Sequence, residues 1–195
     1  RDHSAAGTRE QEVYRFGNTA GFRHVIGLRY RLIPYLYSEY MKAALRGVMM
    51  FRPLAFDYPR DKYAAQVEDQ LLLGNELMLA PVYEQNARGR YVYLPETMKM
   101  VRFKEDGTME TEIRPAGHQY IDVELTDVVF FMRPDTLIPL AKPAQCTQDI
   151  DFEHLELLKF VQNEMASYEY YHDDGYSKDY ENPEHLSLLF STTEE

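Results

Sequence analysis

The strongest constraint on the fold of this chain is a change in the spacing of its apolar residues after Pro53. From Thr19 to Arg46, apolar side chains recur every three or four residues, as they do on the faces of an α-helix. Beyond Pro53 they alternate with polar residues in short runs separated by turn residues, which is typical of β-strands. The sequence therefore predicts a helical segment that packs against a mainly β structure.

The helical segment has recognisable ends and one internal irregularity. Asn18 or Thr19 can cap its N-terminus, and Gly47 suits the left-handed residue that ends a helix. Its apolar positions cover more than one stripe, so we expect neighbours on at least two sides. Pro34 lacks the N–H that would bond a carbonyl one turn earlier. We predict one helix kinked at Pro34, and the alternative is two helices separated at Ile33.

Seven short runs in the middle of the chain are predicted strands. Asp106-Gly107 and Gly117 are turn residues between them, and 105–108 is the predicted tip of a hairpin. Many short strands with frequent turns favour an antiparallel sandwich. Residues 60–73 are predicted to form a short helix before the first strand. The seven runs are 77–83, 91–94, 99–104, 108–113, 119–125, 128–132 and 136–140, and three later ones are 155–161, 168–172 and 186–190.

Composition argues against several classes of partner. The net charge is −11 and the isoelectric point is near 5.0, whereas nucleic acids and anionic membranes are bound by clustered Lys and Arg. The only dense basic stretch, 23–31, has the spacing of a helix face. No apolar run reaches the roughly 18 residues of a membrane-spanning helix. The lone Cys146 excludes an intramolecular disulfide framework and a cysteine-based zinc site, and it predicts a reducing, cytoplasmic location.

The chain contains two groups of metal-ligating residue types, and neither has a spacing suited to a metal site. Four histidines are too dispersed for a zinc site, and we interpret them as surface or edge residues. An acidic stretch near the C-terminus departs from the order of a calcium loop because Gly175 comes too early, so a hairpin turn is favoured. No metal is predicted. The histidines are His118, His154, His172 and His185, and the acidic stretch contains Asp173, Asp174, Ser177, Asp179 and Glu181.

Tyrosine is abundant, with 16 residues against no tryptophan. Exposed aromatic rings are the groups that carbohydrate-binding modules stack on sugars, but tyrosines at helical spacing are expected to pack in a core or a domain junction. One set of tyrosines has helical spacing. A second set is the only cluster of tyrosines in which we propose to test sugar contact. The first set is Tyr30, Tyr35, Tyr37 and Tyr40, and the second is Tyr168, Tyr170, Tyr171 and Tyr176.

Several motifs follow one another along the chain and, taken in order, are specific. Together they resemble the α-glucosidase group, glycoside hydrolase family 31, in which R-N/D-H precedes an active-site loop and an LRYxLLPYLY helix at the end of the catalytic barrel. Asp2 stands where asparagine is commoner, which puts in doubt an amide-specific hydrogen bond there. The motifs are Arg1-Asp2-His3-Ser4, RYRLIPYLY from Arg29, MMFRPL at 49–54, DQLLLGNELMLAP at 69–81, YVYLP at 91–95 and YHDDG at 171–175.

The resemblance implies an α+β chain that is mainly β and has three parts. Residues 1–51 are expected to be the last loop and the long helix of a (β/α)8 catalytic barrel. Residues 52–144 are expected to form a proximal antiparallel β-sandwich, and 145–195 the start of a distal β-sandwich. The chain is thus expected to be the C-terminal part of a longer enzyme.

By the same resemblance, the whole enzyme is expected to hydrolyse terminal non-reducing α-glucosyl residues of malto- or isomalto-oligosaccharides with retention. Its nucleophile and acid/base are aspartates on earlier barrel strands, so we expect no catalytic residue here and no activity from this chain alone. His3 is expected to hydrogen-bond a sugar hydroxyl. Arg1 is expected to pair with a barrel carboxylate behind that site, and a solvated Arg1 is the open alternative. Neither a metal nor an organic cofactor is implied.

Other interpretations remain open. The chain could be a non-catalytic carbohydrate-binding or structural β-sandwich module, which would bind free maltose or isomaltose by itself. Within the family, α-xylosidases, glucosyltransferases and sulfosugar hydrolases share these segments, because the residues that set specificity lie mostly upstream. The sequence does not determine the oligomeric state. Without its neighbours, the apolar helix is expected to make the isolated chain self-associate.

Overall fold

The computed structural model describes residues 13–163, 165–177 and 184–191, and this part of the chain is mainly β, as predicted. No helix in these ranges has the length and apolar character needed to cross a bilayer. The helices are α1 (Thr19–Arg31), α2 (Ile33–Arg46) and α3 (Leu54–Asp57). The strands are β1 (Phe51–Pro53), β2 (Leu71–Leu73), β3 (Leu77–Leu79), β4 (Gly89–Leu94), β5 (Met98–Phe103), β6 (Met109–Arg114), β7 (Gly117–Asp122), β8 (Val128–Met132), β9 (Thr136–Leu140), β10 (Glu156–Phe160), β11 (Met165–His172) and β12 (Glu184–Ser191).

The helical segment is divided at Leu32 into α1 and α2, so the expectation of a single kinked helix is corrected. Pro34 cannot donate to a carbonyl of the preceding turn, and it occupies the first turn of α2, where that donor is not needed. Leu32 keeps helical dihedral angles and bonds the carbonyl four residues earlier, so the helices follow one another without a loop. The end signals are confirmed, since the Asn18 side chain accepts a first-turn N–H at 3.0 Å and Gly47 has φ 69°.

The central element is an antiparallel six-stranded sheet with the order β1-β2-β3-β8-β5-β6. β5 and β6 form the predicted hairpin, and its tip is closed by a hydrogen bond from the Lys104 N–H to the Thr108 carbonyl. Gly107 in this turn has φ 88°, a conformation that glycine adopts without strain. Three two-stranded antiparallel sheets, β4–β7, β9–β10 and β11–β12, complete the described strands.

At its central strands, the six-stranded sheet is buried on both faces. Along β8, Phe130 and Met132 belong to one hydrophobic core and Phe131 to another, so the strand appears in the sequence as a continuous apolar run. The first core is shared with α1, α2, β9, β10 and β11, and the second is closed by β4 and β7. The first core includes Leu28, Tyr35, Leu73, Leu77, Val101, Leu137, Leu158 and Tyr168, and the second includes Leu54, Leu72, Met78, Val92, Leu94, Met100 and Ile121.

Agreement between predicted and observed strands varies along the chain. β8 and β9 have the predicted bounds. The helix predicted over 60–73 is wrong, because these residues contain a 3-10 turn at Ala64–Gln66 and the strand β2. β2 is extended because β1 and β3 pair with its two edges. The predicted domain boundaries at 51/52 and 144/145 stay predictions, and β9 and β10 pair across the second one.

Candidate functional site

The two residues expected to act at a sugar site, His3 and Arg1, lie outside the described residues, and their roles stay predictions. The described part contains the two helices that follow them in the chain. The most elaborate polar structure in this part is the junction of α2 with β2, β3 and β11. It determines how α2 is held.

Tyr35 anchors α2 to the turn between β2 and β3. Its ring is fully buried, and its hydroxyl, which has one proton to donate, lies 2.5 Å from the Leu73 carbonyl and 3.0 Å from the Glu76 carboxylate. Gly74 leaves room for this contact, since a Cβ there would lie 2.4 Å from the Tyr35 hydroxyl and 2.5 Å from Glu39 Oε2. Gly74 also has φ 62°, so both its backbone and its surroundings require glycine.

Glu39 anchors α2 to β11 one turn further along. Its carboxylate is buried, accepts the Tyr168 hydroxyl at 2.9 Å and pairs with Lys42 Nζ at 2.6 Å. The Lys42 ammonium lies 3.9 Å from the centre of the Tyr168 ring, in cation–π geometry. We call Tyr35, Glu39, Lys42, Glu76 and Tyr168 the junction network. A buried carboxylate costs much free energy unless it is paired and hydrogen-bonded, and these contacts meet that requirement for Glu39.

Further bonds follow α2 along β11. The Ser38 hydroxyl accepts the Tyr171 N–H at 3.0 Å, and the Tyr37 hydroxyl donates to Asp173 just after the strand. Arg46, in the last turn of α2, pairs with the exposed side of β11 through Glu169. The helix is therefore bonded to β11 from its second turn to its last.

Electrostatics distinguish the members of the junction network. Burial, and then the negative charge of Glu39, raises the pKa of Glu76 to about 7, against the opposing effect of Lys42. Burial, and then the two carboxylates, raises the pKa of Tyr35 well above its ordinary value. Burial and the same carboxylates raise the pKa of Tyr168 in the same direction. Both phenols therefore remain protonated donors at physiological pH.

A second cluster, the arginine cluster, adjoins the junction network. Arg52 makes two bonds to the Asp57 carboxylate, at 2.8 and 2.9 Å, and Arg133 reaches the same carboxylate at 3.0 Å. Arg133 also bonds Glu96 at 2.8 Å and lies over the Tyr58 ring. The hydrogen bond from Arg52 is the main cause that lowers the pKa of Asp57. The cluster joins β1, α3 and the turn between β8 and β9 into one unit.

Sequence reasoning missed the junction network. A Glu–Lys pair three residues apart on a helix is usually an exposed feature of its surface. The available signal was position, since Glu39 and Lys42 lie four and seven residues after Tyr35 and therefore on the same face of α2 as that buried ring. Their partners on β11 and in the β2–β3 turn are too distant in sequence to be inferred from spacing.

No group of three or more potential metal ligands occurs among the residues that the structure describes. The four later histidines lie at or near the surface, as predicted. In the acidic stretch, Asp173 accepts the Gly175 N–H and Asp174 accepts the Tyr176 and Ser177 N–H groups. These carboxylates therefore cap their own turn, whereas Asp179 and Glu181 of the same stretch lie outside the described residues.

The tyrosines proposed for sugar contact are mostly inaccessible. Tyr168, Tyr170 and Tyr171 are each less than 5% exposed, so they cannot stack on a ligand, and only Tyr176 in that set is exposed. Tyr35 packs in the core as expected, whereas Tyr40 is 58% exposed on the outer side of α2. Two tyrosines of the β4–β7 sheet are also exposed, Tyr91 at 74% and Tyr120 at 52%.

Two grooves flank the six-stranded sheet, and both are mainly apolar. One of about 860 Å³ lies between α1 and the turn after β5, and it is lined by Phe22, Ile26 and Phe103 among others. The other, of about 700 Å³, lies between β4–β7 and the six-stranded sheet near Val92 and Phe131. Ile26 is 42% exposed at the first groove. Exposed apolar side chains on α1 form a surface suited to further protein contacts.

Two family models match adjacent stretches of the chain. Residues 1–39 match the glycosyl hydrolases family 31 TIM-barrel domain, and residues 47–138 match the glycosyl hydrolase family 31 C-terminal domain. The barrel match ends within α2, and the second match contains the whole six-stranded sheet. Both models describe domains of glycoside hydrolases. The chain belongs to glycoside hydrolase family 31, which confirms the family predicted from its motifs.

Individual relatives agree with this assignment. The chain is 30% identical over 191 residues to lysosomal alpha-glucosidase of Bos taurus, a match that covers 91% of this chain and 20% of that protein. It is 28% identical to alpha-glucosidase 2 of Bacillus thermoamyloliquefaciens, covering 96% and 24%. Among solved structures, a family 31 dextranase from Flavobacterium johnsoniae complexed with glucose gives a TM-score of 0.69 at 30% identity, covering 86% and 21%. The chain thus spans about a fifth to a quarter of the length of these relatives.

Proposed function

We propose that the protein containing this chain is a retaining α-glucosidase that hydrolyses terminal non-reducing α-glucosyl residues of malto- or isomalto-oligosaccharides. The observation that carries the proposal is the match of a barrel-domain segment followed directly by a C-terminal-domain segment of one glycoside hydrolase family. The relatives named as alpha-glucosidases support glucosyl specificity, and the relative named as a dextranase supports the inclusion of isomalto-oligosaccharides.

In this proposal the reacting carboxylates come from barrel strands outside this chain. A retaining mechanism requires two of them about 5–5.5 Å apart, one as nucleophile and one as acid/base. His3 binds a hydroxyl of the sugar, and Arg1 orients the site from behind. No metal or organic cofactor takes part.

The contribution of the described residues is mechanical. α2 is bonded to β11 through Glu39 and to the β2–β3 turn through Tyr35, so the C-terminal sheets brace the last helices of the barrel. A substrate-binding residue performs best when the elements next to it are rigid. The junction network would thereby hold the segment that carries His3 in register with the sugar.

The exposed apolar side chains of α1, including Val25 and Ile26, are proposed to pack against the rest of the barrel. The isolated chain should then self-associate, and sedimentation at increasing concentration tests this. A stable monomer over the whole range would contradict the placement. The cytoplasmic location rests on the lone Cys146 and is likewise a proposal.

The test is hydrolysis by the protein in its full natural length. It should release glucose from maltose, isomaltose and a chromogenic α-glucoside, with the α-anomer appearing first in proton NMR, and it should leave the matching β-glucoside intact. Residues 1–195 alone should give no rate above buffer. The proposal would be refuted if the β-anomer appeared first. It would also be refuted if the isolated chain were active and one substitution within it abolished that activity. Longer oligosaccharides as the main product would identify a glucosyltransferase instead.

A further inference from the structure

The outer face of the β4–β7 sheet carries a row of aromatic rings. The register places Tyr91 opposite Tyr120 and Tyr93 opposite His118, with all four side chains on the same side. Tyr63, from the segment before β2, lies beside the second pair. We call these five residues the tyrosine face. Tyr91 is 74% exposed, Tyr120 52% and Tyr63 46%, so large parts of three rings are open to solvent.

The rings of the tyrosine face are held in fixed positions. Tyr91 and Tyr120 meet edge to face with centroids 5.2 Å apart, and Tyr93 and His118 lie 4.9 Å apart. The Tyr93 hydroxyl donates to Asp61 Oδ2 at 2.5 Å. The Tyr120 ring lies across Gly89, where a Cβ would come within 2.7 Å of its hydroxyl. A rigid aromatic surface loses little conformational entropy when a ligand binds.

Side chains alternate between the two faces of each strand, which explains why the rings of the tyrosine face are exposed to solvent. The residues between the exposed rings, such as Val92 and Ile121, point inward and fill the second core. α1 and α2 pack on the opposite face of the six-stranded sheet, where Leu28 and Tyr35 belong to the first core. The tyrosine face is therefore separated by two layers of sheet from the helices that match the barrel domain.

The chemistry of the tyrosine face selects its ligand. A pyranose ring offers C–H groups on its faces and hydroxyls around its edge, which complement open aromatic rings bordered by hydrogen-bonding groups. Such groups beside the rings are Asp61, which accepts the Tyr93 hydroxyl, Lys62, whose ammonium lies 4.9 Å from the Tyr63 ring centre, and Asp122 on β7. The chain has a net charge of −11, so polyanions such as nucleic acids are repelled. The exposed rings are tyrosines with polar tips rather than an aliphatic patch, which favours a hydroxyl-rich ligand over a protein surface.

We propose that the tyrosine face is a second carbohydrate-binding surface, which holds a neutral glucan chain away from the cleavage site. The choice of an α-linked glucan as the ligand rests on the proposed function. Binding at a second point raises the effective concentration of a long substrate at the first without any new contact to the reacting sugar. Tyr91 and Tyr120 are assigned the main stacking role because their rings are the most exposed of the four tyrosines.

The experiment compares binding of polymer with turnover of a small substrate in the full-length protein. Native gel electrophoresis in soluble amylose and in dextran measures polymer affinity. The double variant Tyr91→Ala/Tyr120→Ala should bind about tenfold more weakly, equivalent to about 1.4 kcal/mol. The double variant Tyr91→Phe/Tyr120→Phe keeps both rings and should remain within about twofold of the wild type on the same affinity scale. Tyr176→Ala removes a ring that is 80% exposed elsewhere and serves as the matched control.

Turnover of the chromogenic α-glucoside should be unchanged in all of these variants. Three results would each overturn the proposal. The wild-type protein could be retarded by neither polymer, or the alanine variant could bind with wild-type affinity. The phenylalanine variant could also bind as weakly as the alanine variant. Equal losses with the small substrate would also overturn the proposal, because the change would then act through the fold. If the protein binds polymer through these rings but hydrolyses no α-glucoside, the proposed function fails and the binding surface stands.

Discussion

Glu76→Gln is predicted to remove a pH-dependent loss of folding stability that arises in the junction network. Glu76 is buried, where it accepts the Tyr35 hydroxyl at 3.0 Å and the Asn75 N–H at 2.9 Å. A glutamine keeps an acceptor oxygen for both donors and never ionises. In the wild type, burial and the neighbouring charge of Glu39 raise the pKa of Glu76 to about 7, from an ordinary value of 4.5.

The direction and size of the effect follow from linkage. Since the pKa is higher in the folded state, the native protein binds this proton more tightly than the unfolded chain does. The resulting stability is fully present below pH 4.5 and is lost as the pH rises through about 7. At 1.36 kcal/mol for each pH unit between the two pKa values, the loss is about 3 kcal/mol. The variant should match the wild type near pH 4.5 and exceed it at pH 8.

Hydrogen exchange on the intact protein measures this locally. Between pH 5 and pH 8, after correction for intrinsic exchange, protection of the α2 amides should fall up to about 100-fold more in the wild type than in Glu76→Gln. Glu68→Gln, at an exposed position, controls for the loss of one negative charge. Parallel pH dependence in the wild type and Glu76→Gln would refute the reasoning.

Two further predictions concern described contacts, and a third concerns the role proposed for His3. Gly74→Ala should destabilise the protein by about 2–4 kcal/mol through backbone strain and steric overlap. Gly107→Ala is its control, because Gly107 also has a positive φ but nothing lies within 4 Å of the added Cβ, so only the backbone strain should destabilise it. Denaturation midpoints measure both effects. Asp57→Asn should cost about 2–3 kcal/mol, because the carboxylate shared by Arg52 and Arg133 is lost, and a variant as stable as the wild type at pH 7 would contradict this. His3→Ala should lower kcat/KM for a chromogenic α-glucoside by about tenfold to a hundredfold while leaving the melting temperature unchanged, and unaltered kinetics would remove its assigned role.

Those parts of the fold whose signals are local could be predicted from sequence. Asn18 and Gly47 act on backbone groups within one turn, so the ends of the helical segment were correctly placed. β8 and β9 are short apolar runs with turn residues on each side, and their bounds were predicted correctly. The tip of the β5–β6 hairpin depends on Gly107, which alone in that turn adopts a left-handed conformation.

Features that depend on distant partners could not be predicted in this way. Leu71–Leu73 forms a strand because β1 and β3 flank it, although its own pattern fitted a helix equally well. Glu39 is buried because Tyr168 approaches it from 129 residues away. The prediction of which tyrosines are exposed was also wrong. The side of a strand that faces solvent depends on what packs against its other side, and residue spacing does not show this. Tyr170 is covered by the first core, whereas Tyr91 faces outward.

The most direct test of the account is a crystal structure of the full-length protein with glucose bound. The account predicts His3 within hydrogen-bonding distance of a glucose hydroxyl, at the mouth of a barrel that α1 and α2 help to close. It also predicts that the Tyr35–Glu76 and Glu39–Tyr168 bonds hold α2 on the C-terminal sheets. Glucose bound far from His3, or α2 detached from β11, would contradict it.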